Sequence, residues 1–299
     1  MPRLARYGWF TLIFNVGVIL LGALVRATGS GAGCGDSWPT CEGEIIPELS
    51  GDTAIEFLHR SASGVALVLV FVFAVMVWRA FPAGEPARTG AVVSVLAIVG
   101  EALIGAMIVL SRWVADDDSV ARAVAVPLHL VNTFLLLGAL TLTIHWVSGG
   151  RRLDTVSHRS TWRWLLLGAA AIVLISATGA ITALADTLFP KDGIGLDLEA
   201  GSHFLSRLRV IHPILAVVVA IIAWWKVGGS VRSGDARLIV WLVGAMLISG
   251  VANVALGVPV WMQLVHLALA DSLWIAYVLM GARAIGSDRP LRAGALVPE

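Results

Sequence analysis

The sequence predicts an all-α polytopic membrane protein, with eight transmembrane helices arranged as two pseudo-symmetric four-helix bundles and both termini cytoplasmic. Three observations carry that prediction. Of the 299 residues, 58% are hydrophobic and only 14% charged, with a mean hydropathy of +0.87; a soluble domain is roughly one-quarter charged. The apolar residues fall into eight runs of about 18–25 residues each, the length that spans a bilayer as a helix. Landmark residues in the first four runs recur in the last four.

In chain order, the runs cover residues 7–27, 57–80, 91–111, 123–147, 162–186, 205–227, 238–256 and 261–284. The first run is too long for a signal peptide. Fourteen of the 21 basic residues fall on the side holding Arg3, Arg6, Arg79, Arg88, Arg151, Arg152 and Arg283, which makes that side cytoplasmic. The opposite side is acidic, with Asp36, Glu42, Glu44, Glu48, Asp52, Asp116, Asp117, Asp118, Asp192, Asp197 and Glu199. Net charge is +1, and no basic cluster suggests nucleic acid. Two outward loops, residues 28–55 and 187–204, are long enough to act as lids, and the tail after Ser287 reads as disordered.

The repeat divides the chain into residues 1–150 and 151–299. Run one ends Val25-Arg26-Ala27-Thr28-Gly29, and run five carries Ile175-Ser176-Ala177-Thr178-Gly179. Runs two and six open with His59 and His212, and runs four and eight with His129 and His266. An axis along the membrane normal relating two halves explains the pattern.

Ionisable groups inside hydrocarbon are costly and mark function. The four histidines fall within the first two turns of their runs, at matched depth below the outer boundary. Paired across two bundles, His59 with His129 and His212 with His266, they suit axial ligation of two hemes. Zinc or copper fits less well, because the second pair lacks cysteine or carboxylate partners. A packing role is the alternative for any single histidine. His145, His158 and His203 read as surface or interfacial residues.

The pairs differ in their company. Glu56 and Arg60 flank His59 in Glu56-Phe57-Leu58-His59-Arg60, with Glu56 and His59 on one helical face. His212 has Pro213 after it and no carboxylate in the matching place. The first site is therefore chemically armed and the second a plain electron-transfer site. Arg60, Arg207 and Arg209 suit heme propionates, with interfacial anchoring as the alternative.

Cys34 and Cys41 are the only cysteines. Outside the cytoplasmic membrane they can persist as a disulfide, favoured as a structural staple, with a redox-active pair as the alternative. Glu101 in run three and Asp271 in run eight serve either a proton path or a bond to a neighbouring helix.

Ala23-Leu24-Val25-Arg26-Ala27-Thr28-Gly29-Ser30-Gly31, the Cys34/Trp38-Pro39/Cys41 loop, Glu56-x-x-His59-Arg60 and the three later histidines together resemble the heme A synthase family over all eight runs. The resemblance implies an oxidoreductase of the cell membrane that converts a ring methyl of heme O to the formyl of heme A, by successive hydroxylations, for the terminal oxidase. It implies heme b on His212 and His266, heme O between His59 and His129 with Arg60 nearby, and Glu56 as the catalytic acid. Heme O synthase and cytochrome oxidase assembly factors are the implied partners, with an electron acceptor of a kind the sequence does not specify. Some family members carry a second cysteine pair in the third outer loop, which is absent here. The competing readings are a dihaem cytochrome b exchanging electrons with a quinol, and a transporter using histidines as proton sites.

Overall fold

The structure, a computed structural model, describes residues 2–190, 201–227 and 234–287. Asp192, Asp197, Glu199 and the tail after Ser287, all named above, lie outside the described residues. The helices are α1 (Pro2–Thr28), α2 (Gly51–Ala80), α3 (Pro86–Leu110), α4 (Val120–Val147), α5 (Arg159–Leu188), α6 (Phe204–Leu208), α7 (Ile211–Val227), α8 (Gly234–Ala255) and α9 (Val260–Ala284). Among the described residues, eight helical segments are long and apolar enough to cross a membrane, with α6 and α7 forming one segment.

Two expectations are corrected. The sixth span is broken at Arg209-Val210. Pro213 has no N–H to offer the carbonyl of Arg209 and is tolerated only in a first helical turn; that carbonyl instead accepts from Thr182 Oγ1 at 3.3 Å. The helices also start earlier than their apolar runs, because polar first turns such as Gly51-Asp52-Thr53 are helical without being hydrophobic. His59 is thus the ninth residue of α2, His129 the tenth of α4 and His266 the seventh of α9, while His212 lies nine residues into its span. At 1.5 Å per residue the four positions along their helices agree within roughly 5 Å.

Helices α1 to α4 pack in sequence, and α1 closes against α4. Helix α5 packs on α6, α7 and α9, and α8 joins α7 to α9. The two groups meet where α4 packs on α5 and α9, and α1 on α5 and α9. The main core lies among α1–α4, around Phe73, Phe134, Leu137, Leu140 and Ile144. Trp274 of α9 enters it, stacked on Phe134 with centroids 5.3 Å apart and donating from Nε1 to the Phe134 carbonyl at 2.7 Å. Gly138 leaves room for that indole.

Large apolar side chains such as Leu96, Leu103, Ile221 and Ile248 face outward, as lipid-facing surfaces do. At the end opposite the histidines, the connection between α4 and α5 is tied down. Ser287 N–H donates to the Arg152 carbonyl at 2.7 Å, and Arg152 pairs at 2.8 Å with buried Glu85.

Candidate functional site

Each of the four histidine rings is seated against a glycine of the preceding span. A Cβ on Gly22 would approach His59 to 2.9 Å, one on Gly179 would approach His212 to 3.0 Å, and one on Gly250 would approach His266 to 3.4 Å. Gly105 leaves 4.0 Å to His129. A larger residue would push the imidazole away from the neighbouring helix and into the bundle.

The same helices engage the rings by polar groups. His212 Nδ1 lies 3.0 Å from the Ile175 carbonyl, and His266 Nδ1 lies 2.8 Å from Ser249 Oγ. His129 Nδ1 lies 3.0 Å from Glu101 Oε2, off the line of a well-formed hydrogen bond. His59 sits against the Val18 carbonyl, with its Nδ1 buried and without a close hydrogen bond. On three of these helices the partner group comes one turn before the glycine: Val18 with Gly22, Glu101 with Gly105, Ile175 with Gly179. Residues four apart share a helix face, so partner and glycine together form a seat. For His212 and His266 the engaged nitrogen is Nδ1, which leaves Nε2 available to a ligand; at His129, Nδ1 lies near Glu101 and Nε2 is the ring atom nearest Gly105. Metal-bound histidines are oriented in this way, one nitrogen held by an outer group and the other on the metal.

The His212 and His266 ring centroids are 6.2 Å apart, with planes at 86°. Two imidazole–metal bonds of roughly 2.0–2.1 Å each leave the rings about that far apart, so the pair fits a single iron between two axial nitrogens. Among the described residues, no group of three His, Cys, Asp or Glu side chains gathers. A pair of this kind suits a group that brings its own equatorial donors, as a porphyrin does.

The His59 end is covered by a loop carrying charge. Cys34 and Cys41 form a disulfide, and the loop they close lies over Glu56 and Arg60. The Cys34 N–H donates to Glu56 Oε2 at 2.8 Å. Arg60 donates from Nε and Nη2 to Glu56 Oε1 at 3.1 and 2.6 Å. Its Nη1 donates to the Ser37 and Thr40 carbonyls at 2.6 and 2.7 Å. Glu56 is 3% exposed. Gly33 permits the close approach, since a Cβ there would lie 2.4 Å from the Asp52 backbone. Thr53 Oγ1 donates to the Gly33 carbonyl at 2.7 Å, and Ser30 Oγ to Asp52 at 2.8 Å. The carboxylate is thereby held in one orientation by a backbone amide and a guanidinium.

Each of the three arginines suited to heme propionates has a protein partner in the structure. Arg60 is committed to Glu56 and the loop. Arg209 pairs with Asp186 at 3.0 Å and donates to the Ala185 and Phe189 carbonyls. Arg207 is exposed and bonds Ser202 Oγ at 3.4 Å. His203 caps α6 and stacks on Phe189 at 4.7 Å; His158 caps α5, and His145 is half-buried near the opposite end of α4. Asp271 is fully buried, with neither oxygen hydrogen-bonded.

The sequence marks Arg26 as part of a repeat and a family motif but assigns it no contact. Its guanidinium crosses from α1 to the second half, donating to the Ala183 carbonyl at 2.6 Å, Thr187 Oγ1 at 2.7 Å and Gln263 Oε1 at 2.8 Å. The signal was an arginine near the end of an apolar run, a position that reads equally as an interfacial anchor. Gly22, Gly105 and Gly250 were missed as well, because single glycines in small-residue-rich helices carry no periodic signature.

Fold and site together define a polytopic helical membrane protein with two intramembrane histidine pairs, one of them suited to axial ligation of iron. The model of the COX15-CtaA family, cytochrome oxidase assembly proteins, matches residues 5–278, and the chain belongs to that family, the heme A synthases. It is 45% identical, over 95% of its length, to a Thermus thermophilus protein named protoheme IX farnesyltransferase, of which it covers 48%. Proteins named heme A synthase from Bacillus mycoides and Bacillus cereus are 42% and 40% identical over 106 residues, 34% of this chain and 34% of each relative. The chain thus spans about half the length of the Thermus relative.

Proposed function

We propose that this chain is a heme A synthase. It oxidises a methyl group of heme O to the formyl of heme A by successive hydroxylations and loss of water, and it carries heme b as a resident cofactor. The observation that carries the proposal is the asymmetry between two similarly seated histidine pairs. Both sit against glycine seats at similar positions along their helices, but among the described residues Glu56, three residues before His59, is held by Arg60 and the Cys34 amide, whereas the second half's paired acid, Asp186, lies on α5 against Arg209.

His212 and His266 would hold heme b through their Nε2 atoms, and there heme b supplies one-electron transfer. His59 and His129 would flank the substrate, heme O. Turning a methyl into a formyl group with water as the oxygen source adds one oxygen and releases four electrons and four protons, the electrons going to an acceptor outside this chain. Glu56 is placed to take protons from the reacting carbon's substituents and to stabilise positive charge developing there. Arg60 and the Cys34 amide fix which way the carboxylate faces, so little reorganisation is needed at the moment of reaction. The disulfide loop covers this end of the site and excludes water from it.

The same support extends to the architecture. The seats at Val18/Gly22 and Ile175/Gly179 support two related halves, residues 1–150 and 151–299. The distribution of basic residues supports cytoplasmic termini in a cell membrane, with the disulfide loop outside.

The name of the Thermus relative bears on the partner. Prenyl transfer from a diphosphate needs Mg²⁺ bound by carboxylates together with the phosphates. In this chain the intramembrane acids Glu56, Glu101 and Asp271 stand apart, with no cluster of three such ligands among the described residues. We assign farnesylation to the part of the Thermus protein that this chain does not match. A protoheme-farnesylating enzyme then becomes the natural neighbour, since it supplies the substrate.

The test is heme extraction and mass analysis of the purified protein, co-expressed with a source of heme O, beside Glu56→Ala. Heme b with heme A or its hydroxylated precursor in wild type, and heme O accumulating in the variant, is expected. Heme b alone in both would replace the synthase with an electron-transferring cytochrome b.

A further inference from the structure

We infer that Glu101 is a positioning residue for the substrate heme, acting through His129 and giving that ligand an anionic partner which the other three histidines lack. The inference rests on the reading of His59 and His129 as the heme O site.

The four seats differ in one chemical respect. His59 meets the Val18 backbone carbonyl, His212 the Ile175 carbonyl and His266 the Ser249 hydroxyl. His129 alone meets a carboxylate, Glu101 Oε2, at 3.0 Å. The carboxylate is itself held. Asn132 Nδ2 donates to Glu101 Oε1 at 2.6 Å and to the Ala97 carbonyl at 2.9 Å, and Thr133 Oγ1 donates to Oε2 at 3.1 Å.

His129, Asn132 and Thr133 lie three and four residues apart, on one face of α4. On α3, Gly100 admits Asn132, whose amide would sit about 3.0 Å from a Cβ there, and Gly105 admits the imidazole. His129 is the ion-pairing partner of Glu101 among the described residues, so no Arg or Lys neutralises the carboxylate. Ser249, the group that meets His266 in the second half, is neutral and donates to the Met246 carbonyl at 3.0 Å.

A carboxylate accepting from a metal-bound imidazole fixes the ring and makes the ligand more basic. A more basic axial ligand favours ferric over ferrous iron. Heme O held on His129 would therefore be easier to oxidise than heme b held on His266, which suits a substrate that must lose electrons to its neighbour. The difference arises from one side chain on α3, well away from Glu56.

The experiment uses the full chain loaded with heme b and heme O, comparing wild type, Glu101→Gln, Glu101→Asp, Ser249→Ala and His129→Ala. The readouts are the midpoint potential of each heme, the iron–histidine stretching band and the affinity for heme O; His212→Ala assigns the two hemes.

In Glu101→Gln the heme O potential should rise, its iron–histidine band should fall in frequency, and its affinity should drop about 10–100-fold, with the heme b signals unmoved. Glu101→Asp, which keeps the charge, should restore most of the potential, and Ser249→Ala should leave heme O untouched. An unchanged heme O potential in Glu101→Gln, while His129→Ala abolishes heme O binding, overturns the inference and leaves the site reading standing. So does an equal shift of both hemes. Retention of both hemes in His129→Ala overturns the site reading and the inference together.

Discussion

The two histidine pairs make an internal experiment. Both are seated on glycines and backbone or side-chain acceptors of the preceding span, and both lie at similar depth in helices running the same way. Around His212 and His266 the partners are neutral, and the rings stand 6.2 Å apart. Around His59 and His129 the partners include Glu56, Arg60 and Glu101, and a disulfide loop is docked on top. The scaffold is repeated while the charge is not. Among the described residues, three side chains and a loop distinguish two pairs that are otherwise seated alike.

The comparison can be broken most forcefully at Glu56. Replacing it with Gln keeps the shape and removes the charge, and turnover of heme O should fall about 10²- to 10⁴-fold while the content of both hemes stays at the wild-type level. Product analysis and heme quantification on one preparation check both parts. Loss of turnover together with loss of heme would turn Glu56 into a folding residue.

Arg60 tests whether the armed site depends on its clamp. Arg60→Ala leaves a buried carboxylate without its cation, which costs about 3–5 kcal/mol; it should lower the thermal midpoint and free the loop to proteolysis between Cys34 and Cys41. Arg60→Lys should recover only part of this, because a lysine cannot reach Glu56, Ser37 and Thr40 together.

Cys34→Ser with Cys41→Ser probes the same region more gently. Opening so short a loop should cost about 2–3 kcal/mol of its ordered state on the chain-entropy estimate. Activity should drop while the second-half heme spectrum stays unchanged. A spectrum that changes in both halves would show that the loop supports the whole bundle and not one site.

The smallest effect is expected at a seat. Gly179→Ala places a Cβ 3.0 Å from His212, so the ring must shift by a few tenths of an ångström. Helix propensity gains about 1 kcal/mol from the same change, so stability should hold or rise while the second-half heme band moves. A band that does not move would remove the glycine from the seat.

Much of this was legible in the sequence because the bilayer imposes a simple rule: apolar length gives the spans, and ionisable residues inside them stand out. His59, His129, His212, His266 and Glu56 all announced themselves in that way. The helix starts did not, because hydropathy reports the hydrocarbon edge and Gly51-Asp52-Thr53 lies beyond it. The break in the sixth span was readable from Pro213, whose missing N–H frees the Arg209 carbonyl.

The clamp on Glu56 was not readable. It joins a backbone amide at Cys34 to a side chain 22 residues away, and no local pattern encodes that contact. Glu101 was visible as an intramembrane acid, but its partner depends on the register of α3 against α4. The contacts of Arg26 depend on α5 and α9 packing on either side of it, which no local pattern encodes.

The central claim is that the two pairs hold different hemes for different purposes. The most direct measurement is extraction and mass analysis of the hemes retained by His129→Ala and His266→Ala, purified side by side from cells that make heme O. The account predicts that His266→Ala lacks heme b and keeps heme O, while His129→Ala keeps heme b and lacks heme O and its oxidised products. Both variants losing the same heme, or each keeping both, would contradict it.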